Sequence, residues 1–257
     1  MIISTQQFLV YLLIVGRIAG VFIQAPILNS RSFPIFAKTS LVIWLALVLW
    51  FVVPINKPLP VTLNTFWLAL IFEVAIGFVL GFVANLIFLG VQAAGEIIDL
   101  QMGLSVASAL DPVFGAVISV IGRLTFFFAM IVFLAVNGHH LVLSALHQSF
   151  TVIPVGKMAN FSSPHLTMQV VNLCTVFWST AIKLAGPAVL IIFLSDFTFG
   201  IVSRVAPQVN VFMLGFQVKP SLGLITILFS LPFLVKYIDH LIEFMTQQFI
   251  LLLNNIK

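Results

Sequence analysis

Six long apolar runs, at about Phe8–Leu28, Ala37–Val53, Phe66–Val91, Val113–Val136, Met168–Phe199 and Leu222–Val235, limit what this chain can fold into. Most approach the roughly 20 residues that carry a helix across a bilayer. Hydrocarbon offers backbone amides no partner, so only helices and closed barrels span it. Barrel strands alternate apolar with polar residues, and a run such as LVIWLALVLWFVV (41–53) does not alternate. The expected fold is therefore all-α and membrane-associated, a bundle of about six or more apolar helices. Charged residues make up only 7% of the chain, against roughly 25% in a soluble domain.

Several function classes fall away on the same reading. The formal charge of +4 comes from Lys and Arg residues scattered singly, which leaves no patch to grip nucleic-acid phosphates. No cationic segment precedes the first apolar run, and Arg17 lies inside it, so no cleaved signal is expected. Cys174 is the chain's one cysteine and has no intramolecular partner; as a small residue in an apolar run it is expected to be buried.

No linker, low-complexity tract or internal repeat divides residues 1–257, so one helical domain is expected. Connections are short and proline-rich, as in PINKPLPVT (54–62), where the prolines stop one helix before the next. The stretch 236–257 differs in kind. Ile238, Leu241, Ile242, Met245, Phe249 and Leu252 recur at helical spacing, with Lys236, Asp239, Glu243 and Gln247 on the other face. That is an amphipathic helix suited to a partner or an interface.

The placement of Lys and Arg normally orients a polytopic chain. Here alternate loops tie: Arg31, Lys38, Arg204 and Lys219 fall on one side, Lys57, Lys157, Lys236 and Lys257 on the other. Either the helices do not all span or the topology is unusual. Arg17, Glu73, Arg123, Lys183 and Asp196 lie within apolar runs, where each costs about 3 kcal/mol at a helix centre unless it faces protein or water. They pair with one another or cap carbonyls, or they line a pore or relay. Glycines four apart in GRIAG (16–20) and GFVLG (77–81) allow close helix approach. Pro26, Pro187 and Pro232 predict kinks. Kinked helices with close-contact faces suggest one part of a larger assembly.

Catalysis finds little support. Glu96 and Asp99, three apart, share a helix face and suit an acid and base pair, but no nucleophile or metal set accompanies them. His139, His140 and His147 fit hydrogen-bonding histidines near a membrane boundary better than a metal site, since no HExxH spacing and no nearby carboxylate accompany them. No G-x-S-x-G elbow is present. Neither enzyme activity nor a cofactor or metal is expected.

The most unusual stretch is GEIIDLQMGLSVASALDP (95–112). It holds three of the seven acidic residues, two glycines and then a run of small side chains. It strongly resembles the FliR family of flagellar export-gate proteins, whose injectisome relatives are called SctT. The resemblance extends to GRIAGVFIQAPIL (16–28) with Pro34 and Lys38, EVAIGFVLG (73–81), VNGHHLVLSALHQSF (136–150) with Pro154, AGPAVL (185–190) and GIVSRVAPQVNVFMLGFQVK (200–219). The order and spacing match over nearly the whole chain, and the Phe-rich, loop-poor character looks more flagellar than injectisome-like.

The resemblance implies helices in bent hairpins within a helical hetero-oligomeric export gate in the bacterial inner membrane, at the flagellar basal body. FliP-like and FliQ-like subunits would complete the entry channel, FlhB-like and FlhA-like components would adjoin it, and unfolded flagellar subunits would pass. It assigns a plug role to the loop Met102, Gly103, Leu104, Ser105, Val106, Ala107, Ser108, Ala109 and Leu110, bounded by Asp111 and Pro112. In the residue reading, Met102 suits an adaptable seal. Arg17, Glu73, Glu96, Asp99, Gln101 and Arg123 are candidates for polar gate or subunit contacts. Two alternatives stand beside these expectations: the loop is a tight packed turn, or the chain is an independent ion channel or secondary transporter with Arg17, Glu73, Arg123 and Lys183 in its path.

Overall fold

The computed structural model describes residues 5–25, 34–53, 63–105, 119–157, 159 and 163–256. Among them the regular structure is helical, without strands. Seven helices among the described residues follow in order: α1 (Thr5–Gln24), α2 (Ile35–Val52), α3 (Leu63–Met102), α4 (Val120–Ala135), α5 (Gly138–Val152), α6 (Pro164–Val205) and α7 (Val211–Ile256). Five of these, α1, α2, α3, α6 and α7, are long and apolar enough to cross a membrane. The pair α4 and α5 forms a sixth, broken candidate, bent by 71°. Its break falls at Asn137, whose left-handed backbone (φ 59°) ends the helical path.

Local chemistry accounts for several boundaries. Pro34 precedes α2 with extended backbone (ψ 140°), and Pro164 opens α6, where its missing amide costs nothing. The Asn210 side chain caps α7 by accepting from the Met213 amide at 3.2 Å. Two expected boundaries do not appear. The apolar run 222–235 and the amphipathic stretch 236–257 belong to one helix, which also extends back to Val211 through Pro220 and Pro232. Tertiary packing and the apolar flanks outweigh the proline penalty there.

The helices pack as two compact units. The first comprises residues 1–87, 134–173 and 241–257. Its centre is the crossing of α1 with the first half of α3, where the two glycine pairs face one another. A Cβ on Gly20 would strike the Val74 carbonyl oxygen, and one on Gly77 the Arg17 carbonyl oxygen; on Gly81 it would lie 2.6 Å from the Val21 oxygen. Backbones therefore touch along this seam, and Leu13, Ile14, Ile18, Ile76 and Leu80 are buried around it.

The same unit takes in the C-terminal segment. Leu241, Ile242, Met245, Phe249 and Leu252 are buried, while Glu243 and Gln247 stay exposed. Gln169 of α6 donates to both the backbone oxygen (3.1 Å) and the side-chain oxygen (3.2 Å) of Gln248, and accepts from Asn255 at 3.0 Å. The apolar face of the amphipathic stretch is thus covered inside the chain.

The second unit comprises residues 88–133 and 174–240. Here the end of α3 meets α4 at a glycine contact: a Cβ on Gly95 would lie 2.6 Å from the Gly122 Cα. Phe88 packs against Phe126 and Phe133, with ring centroids 5.8 and 5.2 Å away. Cys174 is exposed, contrary to the expectation of burial, because it falls on a side of α6 that no described element covers.

Candidate functional site

The polar end of α3 is built by a clasp. Asp99 is buried at 2% exposure, and its Oδ2 accepts from the Ser119 hydroxyl and from the Ile121 amide at 3.2 Å. The Ser119 oxygen in turn accepts from the Gly122 amide at 2.8 Å. A carboxylate thus sits on the free amides of the first turn of α4, where the helix dipole favours negative charge. Its other oxygen, Oδ1, is buried and has no hydrogen-bond partner among the described residues. The clasp ties together the two ends of the segment 104–118.

Beyond Asp99 the helix ends at Met102 and Gly103. Met102 is fully buried, and a Cβ on Gly223 of α7 would run into its side chain, with Sδ at 3.1 Å. Gly103 adopts φ +80°, donates its amide to the Leu100 oxygen at 3.2 Å, and has the Phe216 ring 3.2 Å from where a Cβ would stand. Glycine is required there, since a side chain would be strained by the backbone and crowded by the ring.

Met102 and Gly103 border a cleft of about 560 Å³, lined also by Leu100, Gln101, Asp196, Phe212 and Phe216. Lys219 and Asp196 form an ion pair of 2.5 Å on its wall, 24% and 42% exposed. The cleft is apolar in bulk with one polar edge, a surface against which a small apolar segment can rest without strong polar anchorage.

In the first unit a separate polar knot forms around Arg17. Its Nε lies 2.5 Å from Glu73 Oε2, Nη1 donates to the Ser149 hydroxyl at 3.1 Å, and Nη2 to the Ile153 oxygen at 3.0 Å. Glu73 Oε1 accepts from the Gly156 amide at 2.8 Å, and the guanidinium carbon stands 4.2 Å from the centroid of the Phe150 ring. Arg17 and Glu73 are 0% and 1% exposed. One ion pair therefore joins α1, α3 and the C-terminal end of α5, with the cation placed where the last carbonyls of α5 favour it.

The remaining sequence candidates are dispersed. Glu96 is exposed and accepts from Gln92 at 2.9 Å. Gln101, Arg123 and Lys183 are exposed. Leu104 and Ser105 are half-buried, whereas Val106, Ala107, Ser108, Ala109, Leu110, Asp111 and Pro112 lie outside the described residues. The His139 and His140 rings lie 4.3 Å apart and tilted by 38°, while His147 is exposed; among the described residues no three metal-ligating side chains gather. Sequence reasoning did not single out Ser119, Ser149, Gly156 and Gly223. Each is small and locally unremarkable, and its role arises from partners distant along the chain.

Comparison with known proteins adds a relationship to this geometry. Residues 8–245 match the family described as bacterial export proteins, family 1. The chain is 31% identical over 223 residues to the flagellar biosynthetic protein FliR of Bacillus subtilis (strain 168), an alignment covering 86% of this chain and 85% of that protein. It is 29% identical over 225 residues to FliR of Escherichia coli (strain K12), covering 88% and 85%. The surface presentation of antigens protein SpaR of Shigella flexneri is 30% identical over 155 residues, covering 60% of this chain and 59% of its own length.

Proposed function

The chain belongs to family 1 of the bacterial export proteins, the FliR family, and on that premise we propose that it is a subunit of the flagellar type III protein export gate. With FliP-like and FliQ-like subunits it forms the gated entry channel for unfolded flagellar subunits, in the inner membrane at the basal body. FlhB-like and FlhA-like components adjoin it. Its part is structural and gating rather than catalytic.

The observation that carries this reading is the treatment of the segment after α3. Asp99 ties its two ends together through Ser119 and Ile121, and Met102 and Gly103 root its start against α7. A segment of small side chains between two such anchors suits a plug: it fills a bore at rest and yields without breaking the helices that carry it. The bare apolar surface supports the assembly role. Trp44, Phe51, Phe193, Phe197 and Phe229 are all more than half exposed. The channel or transporter reading places Arg17 and Glu73 in an aqueous path; their burial and mutual pairing speak for a packing role instead.

Co-expression tests the proposal. With FliP-like and FliQ-like subunits the chain is expected to purify in one discrete complex, and without them to aggregate or degrade. A monodisperse, stable monomer in mild detergent overturns it.

A further inference from the structure

Helix α6 carries an exposed apolar surface that a bilayer alone does not cover. Exposed apolar side chains recur from Met168 (72%) to Val205 (78%), a helical path of roughly 57 Å at 1.5 Å per residue. The hydrocarbon core is about 30 Å thick and natural tilts reach about 40°, so lipid accounts for at most about 40 Å of that path. The rest has to be covered by protein.

Two exposed cations stand on this surface, Arg204 in its last turn and Lys183 far from either end. Lys183 lies near the middle of α6, is exposed, and makes no ion pair among the described residues. One turn on, at Gly186, no other described element comes within 4 Å of where a Cβ would stand. Leu190, Leu194, Phe197 and Ile201 continue the same face at helical spacing, each more than half exposed. The face thus combines a notch open to the outside, an apolar ridge and a charge in need of a counter-ion.

We propose that this face is the docking surface for an apolar helix of another subunit, which carries one carboxylate opposite Lys183 and approaches closely at Gly186. The charge chooses the partner's sign: an apolar surface carrying an uncompensated ammonium group is poor in lipid, and a carboxylate in the facing helix satisfies it. The glycine notch permits the backbone approach on which membrane helix pairs depend. Among the described residues no carboxylate pairs with Lys183: Glu73 and Asp99 are buried and partnered, Glu96 accepts from Gln92, and Asp196 is taken by Lys219. The inference rests on the export-gate reading for its motility readout, and restoration of swimming by the native chain in a deletion strain tests that reading separately.

The experiment places Lys183→Glu and Gly186→Leu in that strain and measures swimming, chain abundance and complex assembly in native membranes. Both variants are expected to lower swimming at least tenfold. Selection for restored swimming in Lys183→Glu is expected to return replacements of Asp or Glu by Lys or Arg in a helix of another subunit. Should Lys183→Glu reduce chain abundance, Gly186→Leu decides, because within this chain the added side chain points into open space. Normal swimming and assembly of Gly186→Leu overturns the proposal. Charge-reversal suppressors confined to this chain overturn it as well, since they point to an internal partner or a second copy.

Discussion

Arg17 and Glu73, 56 positions apart in sequence, meet at 2.5 Å with both side chains buried, and the pair fixes α1 to α3 at the line where their glycines bring the backbones together. A buried pair of this kind is a poor source of net stability but a costly thing to halve. Arg17→Leu leaves the Glu73 carboxylate stranded, and Glu73→Leu strands the guanidinium. Each single change is expected to cost about 3–5 kcal/mol and to lower complex yield and motility. The double variant Arg17→Met with Glu73→Leu removes both charges and is expected to regain much of the yield. Thermal unfolding of the purified complex checks this. A double variant that assembles normally but no longer exports assigns the charges a transport role instead.

The glycine seam gives the second prediction. Gly77→Ala places a methyl group on the Arg17 carbonyl oxygen, a backbone atom of the facing helix that has no rotamer with which to move away. Gly20→Ala does the same to Val74. Overpacking of this kind typically costs about 1–3 kcal/mol, and the same displacement would also disturb the ion pair beside it. Chain abundance and melting temperature of the complex are expected to fall for both. Wild-type values for Gly77→Ala would mean that the two helices cross elsewhere.

The Asp99 clasp gives the third. Asp99→Ala removes the acceptor for the Ser119 hydroxyl and the Ile121 amide together, a loss of about 1–3 kcal/mol for buried partners left unmade. The segment 104–118 then loses the tie between its ends while α3 and α4 keep their packing at Gly95 and Gly122. The expected result is an assembled complex with raised ion conductance. Ser119→Ala is expected to act in the same direction with smaller effect, because the Ile121 amide remains. Conductance is read from membrane potential in intact cells, and an Asp99→Ala strain with native potential removes the clasp from the gating account.

Much of the helical framework was legible in the residues, because apolar length and the 3.6-residue period are local properties. The spacing of Ile238, Leu241, Ile242, Met245, Phe249 and Leu252 marked the face that is buried. GRIAG and GFVLG likewise marked the surfaces that touch. Partnership was not legible. Ser149 stands 132 positions from Arg17, and nothing near it in sequence distinguishes it from other serines. Pro187 and Pro232 were expected to kink their helices, and both lie inside long helices that continue past them, α6 and α7; Pro220, inside α7 as well, was not singled out. Cys174 was expected inside because its neighbours are apolar. Its exposure shows that, in a membrane chain, an apolar run specifies the solvent of a helix and not the side that packs.

The last prediction concerns the segment that follows Gly103. A channel wide enough for an unfolded chain passes ions freely unless something occupies it at rest. Leu104, Val106 and Leu110 offer modest apolar contact, and Ser105, Ala107, Ser108 and Ala109 offer little beyond volume. Such a segment can move aside at low cost, as gating elements do. Its roots are fixed independently of it: Met102 rests on Gly223 in α7, and Asp99 holds Ser119. Deleting residues 104–110 therefore removes the filling and spares much of the frame. The complex is expected to assemble, membrane conductance to rise, growth in salt to slow, and export to persist in part, since in the proposed role the segment closes the path and does not drive transport. Ion leak, assembly and export are measured in the same strain. To control for a shortened connection, a second strain replaces residues 104–110 with seven glycines, which keeps the length and discards the apolar contacts. If both strains assemble and neither leaks, the segment is a packed turn and the closure of the channel lies elsewhere.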